Sequence, residues 1–304
     1  MTRKKLSRRS ARAPKLERPK LGASSPDPAP RAGGITSPFT IFDFGAAGEA
    51  GAQAHYAHAR YYTYAYGARR HDVEYYVRTA RSSGGPVLEY GTGNGRVAIA
   101  IARAKVPITG VDLSRSMLDD FAARLANEPP AVRARVTIEH GDMRHVRLSR
   151  RFALVIAPFN AILHLYTRSD LEAFLAGVRE HLAPDARFVF DFSIPAPADL
   201  ARDPERTYDA PDLVDFESGE RVRYAERFEY DPLRQLLLVR TEFEPEGGTP
   251  AFTVPLTHRQ YFPREMEALL HYNGFAEILY TADFTDQAAD RTVDSIVVSC
   301  RART

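Results

Sequence analysis

The stretch that most restricts the fold is VLEYGTGNGRVAIAIARA, residues 87–104. A short apolar run ends at Tyr90, glycines occupy alternate positions at Gly91, Gly93 and Gly95, and a helical pattern of Val, Ala and Ile follows at once. A strand that turns so sharply into a helix needs residues tolerant of positive φ, and it aims the first free helix amides at whatever occupies the turn. In outline, such a corner is a nucleotide site.

The downstream segments keep the same alternation. Strands are expected in VPITGVDL, VTIEHGDM, RFALVIAPF and RFVFDFSIP, and helices in SRSMLDDFAARLAN and SDLEAFLAGVREHLA. Ser114 is placed to cap the first of these helices and Ser169 the second. The order predicts a doubly wound, mostly parallel α/β sheet. Three β-like runs, ERVRYAERFEY, RQLLLVRTEFEP and TPAFTVPLTHRQYF, then predict an antiparallel β insertion at about residues 208–260. A helix opened by Pro263 and stopped by Gly274, and a terminal strand pair, complete the pattern.

With 304 residues, 44% of them hydrophobic, the chain can bury a substantial core. Its apolar runs, such as LVIAPF and SIVVSC, are of strand length, against the roughly 18–20 residues of a membrane span. Neither a transmembrane helix nor a membrane partner is expected. Cys300 is the single cysteine, so no intramolecular disulfide can form and a reducing, cytoplasmic setting is expected. The net charge of +2 hides an asymmetry, because the first twenty residues carry nine Lys or Arg against one Glu. Residues 1–37 read as a disordered basic tail and residues 38–304 as the folded domain. No apolar stretch follows the basic one, so it does not read as a secretory signal.

Glycine spacing separates the possible ligands. A dinucleotide turn is G-x-G-x-x-G, whereas these glycines fall as G-x-G-x-G with Arg96 in place of the third fingerprint glycine. That argues against an NAD(P)-binding oxidoreductase. The run Glu89-Tyr90-Gly91-Thr92-Gly93-Asn94-Gly95 closely resembles the first motif of class I S-adenosylmethionine (SAM) dependent methyltransferases, and VDLS, HGDM and IAPFN follow in the family's order. The resemblance implies SAM as cofactor and a Rossmann-like sheet of seven mostly parallel strands. It implies that Glu89 suits the methionyl ammonium and that Gly91, Gly93 and Gly95 form the cradle. Asp112 would accept from the ribose hydroxyls, and Asp142 from the adenine amino group with Met143 beside the ring. Pro158, Phe159 and Asn160 would line the place where methyl and acceptor meet. The tyrosine-rich leader YYTYAYGARRHDVEYY is similar to a helix that folds over SAM in relatives, which implies an aromatic contact from Tyr61 and a methionyl carboxylate contact from Arg69. Tyr75 and Tyr76 read as core. The insertion resembles the inserted sheet of glycine, sarcosine and amino-sugar N-methyltransferases.

The function implied is methyl transfer to an N or O atom of a small-molecule acceptor. The sulfonium is already activated, so the protein's task is alignment and exclusion of water. No metal is demanded, and the nine histidines fall at no recognisable ligand spacing. A hydroxyl acceptor needs a base. His164, five residues after Phe159, is the candidate, with Asn160 as the second catalytic candidate. The basic tail keeps a nucleic-acid (RNA) methyltransferase as the alternative. It is less favoured, because enzymes that methylate base amines commonly carry a polar residue, Pro-Pro and an aromatic where this chain has APFN. Oligomeric state stays open.

Overall fold

The computed structural model describes residues 70–209, 213–214, 221–246 and 250–303. The expected basic tail, Tyr61 and Arg69 lie outside the described residues. In chain order, α1 (His71–Ser83) leads into β1 (Val87–Tyr90), α2 (Arg96–Arg103), β2 (Ile108–Asp112), α3 (Arg115–Ala126), β3 (Val136–His140), β4 (Phe152–Ala157), α4 (Arg168–His181) and β5 (Leu182–Ser193). The insertion follows as β6 (Tyr208–Asp209), β7 (Leu213–Val214), β8 (Arg221–Asp231), β9 (Leu236–Pro245) and β10 (Phe252–Arg259). Helix α5 (Pro263–Tyr272) and strands β11 (Phe275–Ala282) and β12 (Ser295–Ala302) follow, and one-turn helices at Pro130–Arg133 and Pro197–Leu200 lie between the longer elements. Among the described residues no helix is long and apolar enough to cross a membrane.

Seven strands form one sheet in the order β11-β12-β5-β4-β1-β2-β3. The pairs from β3 to β5 are parallel, and β12 and β11 run antiparallel at one edge. Helices cover both faces, so the central strands are apolar on both sides rather than alternating. In β4, Leu154 and Ile156 pack with α1, α2 and α3, while Val155 and Ala157 pack with α4 and α5. The chain leaves β1 toward β2 on one side and returns to β4 on the other. The gap between their C-terminal ends is the switch point at which open α/β sheets bind ligands.

Local chemistry sets the helix starts. Ser114 Oγ accepts from the Met117 amide at the start of α3, as expected. Helix α4 departs from expectation: its cap is Thr167, which forms a reciprocal capping box with Asp170, and Ser169 sits inside the first turn. The box satisfies amides that Ser169 would have left unpaired.

The insertion is a second, antiparallel sheet, with β10, β9, β8 and β6 side by side and β7 also paired to β8. It carries its own apolar patch of Val222, Phe243 and Val254. Two tyrosines tie it and the following segment to the loop after β4. Tyr166 Oη donates to the Thr257 carbonyl at 3.2 Å, and Tyr261 Oη donates to the Leu165 carbonyl at 2.5 Å. At the far edge of the main sheet, β11 shifts register between Ala276 and Leu279, with Glu277 at φ 49°. Glu277 is paired with both Arg187 and Arg301.

The glycine that most constrains this packing is Gly95, at φ 75° at the start of α2. A Cβ there would stand 2.1 Å from the Phe121 ring of α3, inside van der Waals contact. Gly95→Ala is therefore expected to destabilise the protein by about 2–4 kcal/mol through overpacking and backbone strain. In a Phe121→Ala background the penalty should shrink, and a double-mutant cycle of urea midpoints would check it. Equal penalties in both backgrounds would discount the ring contact.

Candidate cofactor and active site

A cavity of about 440 Å³ opens at the C-terminal edge of the parallel strands. The turn after β1 contributes Gly91 and Gly93, the end of β2 contributes Asp112, and the end of β3 contributes Asp142 and Met143. The end of β4 contributes Pro158 and Phe159, and the short 3-10 turn Ala161–His164 brings His164 to the wall. Four successive strand ends thus meet around one space. Gly95 and Asn160 do not line it.

The three glycines all have positive φ. Neighbouring protein atoms exclude side chains from this turn. A Cβ on Gly91 would stand 2.9 Å from Ala161, and one on Gly93 3.1 Å from Met117. The backbone approaches the cavity this closely because neighbouring elements press it there.

Asp112 ends β2 on the wall of the cavity. Its Oδ2 accepts the Gly93 amide at 2.7 Å and its Oδ1 the Ser114 amide at 2.8 Å. Burial pushes its pKa above the ordinary value, and the backbone amides oppose that shift. Each carboxylate oxygen still has acceptor capacity for a hydroxyl from the cavity.

Asp142 faces the cavity with much of its charge already engaged. Burial pulls its pKa upward, but Arg144 outweighs that and holds it low. Arg144 donates through Nε to both carboxylate oxygens, at 3.0 and 2.9 Å, and through its backbone amide at 2.9 Å. The same guanidinium reaches Asp170 at 3.1 Å and so ties this wall to the cap of α4. Sequence reasoning missed Arg144, although its position two residues after Asp142 was a local signal.

Glu89 lies behind the cavity rather than in its lining. It is 2% exposed, shares its strand face with Val87, and accepts from Thr92 Oγ1 at 3.0 Å. Burial drives its pKa from 4.5 up to about 8, despite the Thr92 hydrogen bond and the nearby Arg96. At neutral pH Glu89 is therefore largely protonated.

Two catalytic candidates part company in the structure. His164 lies on the cavity wall, its Nδ1 3.3 Å from Tyr166 Oη and its ring 5.1 Å from the His258 ring of β10. Asn160 instead directs its side chain to β5, where Oδ1 accepts the Ser193 amide at 2.7 Å and Nδ2 lies 3.3 Å from Ser193 Oγ. Its geometry braces a turn.

Helix α1 supplies Tyr76, which is core as expected and also a hydrogen-bond donor, and Asp72, which the sequence reading did not single out. Tyr76 is fully buried, and its hydroxyl donates to Asp191 Oδ1 at 2.6 Å. Asp72 grips Arg96 through two hydrogen bonds, 2.9 and 2.5 Å. Arg96, in the place of the missing fingerprint glycine, lies 5.3 Å above the Phe159 ring. The signal for Asp191 was a lone acid within the run RFVFDFS.

Residues 87–185 match the family model described as "Methyltransferase domain". The chain is 29% identical over 119 residues to dTDP-3-amino-3,4,6-trideoxy-alpha-D-glucopyranose N,N-dimethyltransferase of Streptomyces venezuelae, covering 39% of this chain and 47% of that protein. It is 32% identical over 120 residues to dTDP-3-amino-3,6-dideoxy-alpha-D-glucopyranose N,N-dimethyltransferase of Streptomyces fradiae, covering 40% and 44%. The matched region thus spans about half the length of these curated relatives. Among solved structures, the CcbJ methyltransferase of Streptomyces caelestis superposes with a TM-score of 0.71 at 24% identity, covering 83% of this chain and 98% of that one. That likeness bears on the fold.

The state of Glu89 has a measurable consequence. Its folded pKa of about 8 lies above the ordinary 4.5, so the stability it confers is complete below 4.5 and is lost as pH rises through 8. Glu89→Gln keeps the shape without the titration. In the absence of ligand, its unfolding free energy relative to wild type should rise between about pH 5 and pH 9. Urea denaturation across that range would show this, and parallel curves would refute it.

Proposed function

We propose, for a chain whose residues 87–185 match a methyltransferase-domain model and whose fold is like that of a solved methyltransferase, that it transfers a methyl group from SAM to an amine nitrogen of a small-molecule acceptor. The observation that carries the SAM reading is the convergence of Gly91, Gly93, Asp112, Asp142 and Pro158 on one cavity. The residues fit the cofactor in chemistry: a glycine-lined backbone for the aminoacyl chain, an amide-anchored carboxylate for the sugar, and an acid and a thioether at the base end. The nitrogen acceptor is favoured by the two relatives named above, both of which are amino-sugar N,N-dimethyltransferases.

SAM, when bound, supplies a methyl group on a positively charged sulfur whose departure leaves a neutral thioether. The chain's residues do the rest. Asp112 holds the ribose hydroxyls, and Glu89, out of contact behind the glycine turn, acts on the ammonium only through its field, which the ligand's positive charge strengthens by favouring the ionised carboxylate. Pro158 and Phe159 form an apolar wall that keeps water away from the reacting centre. His164 can hold the proton that the acceptor nitrogen gives up, with Tyr166 orienting its ring. An amine that arrives neutral needs that service only after transfer.

Isothermal titration with SAM, S-adenosylhomocysteine and NAD tests the cofactor reading, and binding of NAD in preference to SAM would end it. Release of S-adenosylhomocysteine over a panel of small amines, including dTDP-3-amino sugars, tests the acceptor. Asp112→Ala should weaken SAM binding by about 1.5–3 kcal/mol, the range for a hydrogen bond to a charged group. Unchanged affinity in a folded variant would count against the site. His164→Ala should lower turnover by about 10²-fold or more while leaving SAM affinity in place, and unaltered turnover would remove His164 from the mechanism.

A further inference from the structure

Phe159 and Asn160 are consecutive non-glycine residues with φ of 58° and 62°. Left-handed backbone is unfavourable for Phe159 and less so for Asn160, so the surroundings must hold the turn in place. Its two amides donate to one carboxylate: Phe159 N to Asp191 Oδ1 at 2.8 Å and Asn160 N to Oδ2 at 3.3 Å. Tyr76 Oη is the third donor, at 2.6 Å.

Asp191 alternates on β5 with Phe190 and Phe192, which belong to the α4 side of the core, so it faces α1 together with Val189. It is 3% exposed. Burial pushes its pKa to about 6 against the pull of these hydrogen bonds, which leaves it mostly ionised at neutral pH. A buried charge this close to a ligand cavity is expensive unless it is fully satisfied. Here the donors that satisfy it belong to the strained turn and to the helix above. From that same helix, Asp72 steers Arg96 over the Phe159 ring. Helix α1 thus reaches the turn by two routes.

We propose that Asp191 is a positioning residue for methyl transfer, holding the Phe159–Asn160 turn so that the wall of Pro158 and Phe159 keeps acceptor and methyl in line. The proposal rests on the methyltransferase reading above. In Asp191→Asn, an amide NH₂ or a single carbonyl must replace a carboxylate that accepts on both oxygens. One turn amide then loses its partner.

The test compares wild type, Asp191→Asn and Tyr76→Phe by three readouts: SAM affinity by titration, deuterium exchange at the Phe159 and Asn160 amides, and S-adenosylhomocysteine release with an amine that passes the panel above. In Asp191→Asn the two amides should exchange about tenfold faster or more. Its kcat should fall about 10–100-fold, as for a small misplacement of a reacting group, with SAM Kd within about threefold of wild type. Tyr76→Phe should lie between the two, and it decides by the same criteria if Asp191→Asn does not fold. Wild-type exchange rates in a folded variant, or SAM affinity falling in step with kcat, would overturn the proposal. Failure of the wild-type protein to bind SAM would instead sink the methyltransferase reading, with the exchange result still reporting on the turn.

Discussion

One carboxylate joins the two loop ends that make the floor of the cavity. Asp112 takes the Gly93 amide on one oxygen and the Ser114 amide on the other, so the glycine turn after β1 and the first turn of α3 cannot move apart without leaving a half-buried carboxylate short of donors. The price of placing an anion there is visible in its raised pKa, which burial drives up and the two amides restrain. Phe121 seals the same junction from below against Gly95, so polar and apolar contacts fix a single geometry. The cavity is preorganised because its floor is overdetermined.

What could be read from the residues alone was what depends on near neighbours. The strand, the glycine turn and the helix start at Arg96 are contiguous, and Asp112 and Asp142 follow at the ends of the next strands, where periodicity already placed them. The groups that escaped are paired across long stretches of chain. Tyr76 meets Asp191 from 115 residues away, and its place in the core, correctly expected, gives no sign of that partner. Asn160 shows the converse. Its position beside the expected reaction centre made it a catalytic candidate, yet its amide is spent on Ser193, 33 residues on. At α4 the error was of two residues, because Thr167 with Asp170 makes a reciprocal box that Ser169 cannot. Tyr61 and Arg69 lie outside the described residues, and their assignment rests on resemblance.

The face of the sheet toward α1 gathers ionisable groups that an apolar layer would normally exclude. Glu89, Asp191 and the Asp72–Arg96 pair all lie on that side, each with its own set of donors or counter-charge. The opposite face is built from Phe174, Phe188, Phe190 and Phe192 and carries a conventional aromatic core. One side of the sheet thus supplies rigidity and the other gathers ionisable groups close to the cavity. A cationic cofactor suits that division, since the field beneath the glycine turn is set by acids whose protonation can respond to it.

The bulge in β11 has a bearing on how the molecule behaves in a crowded solution. A regular outer strand offers a row of unpaired amides and carbonyls that another chain can extend, the first step toward fibrous association. Here Glu277 interrupts the row, its backbone is turned out of register, and two arginines fasten a charged cluster at the break. An approaching strand would find no continuous ladder and a desolvation penalty at the interruption. The rim that closes the fold therefore also discourages its polymerisation.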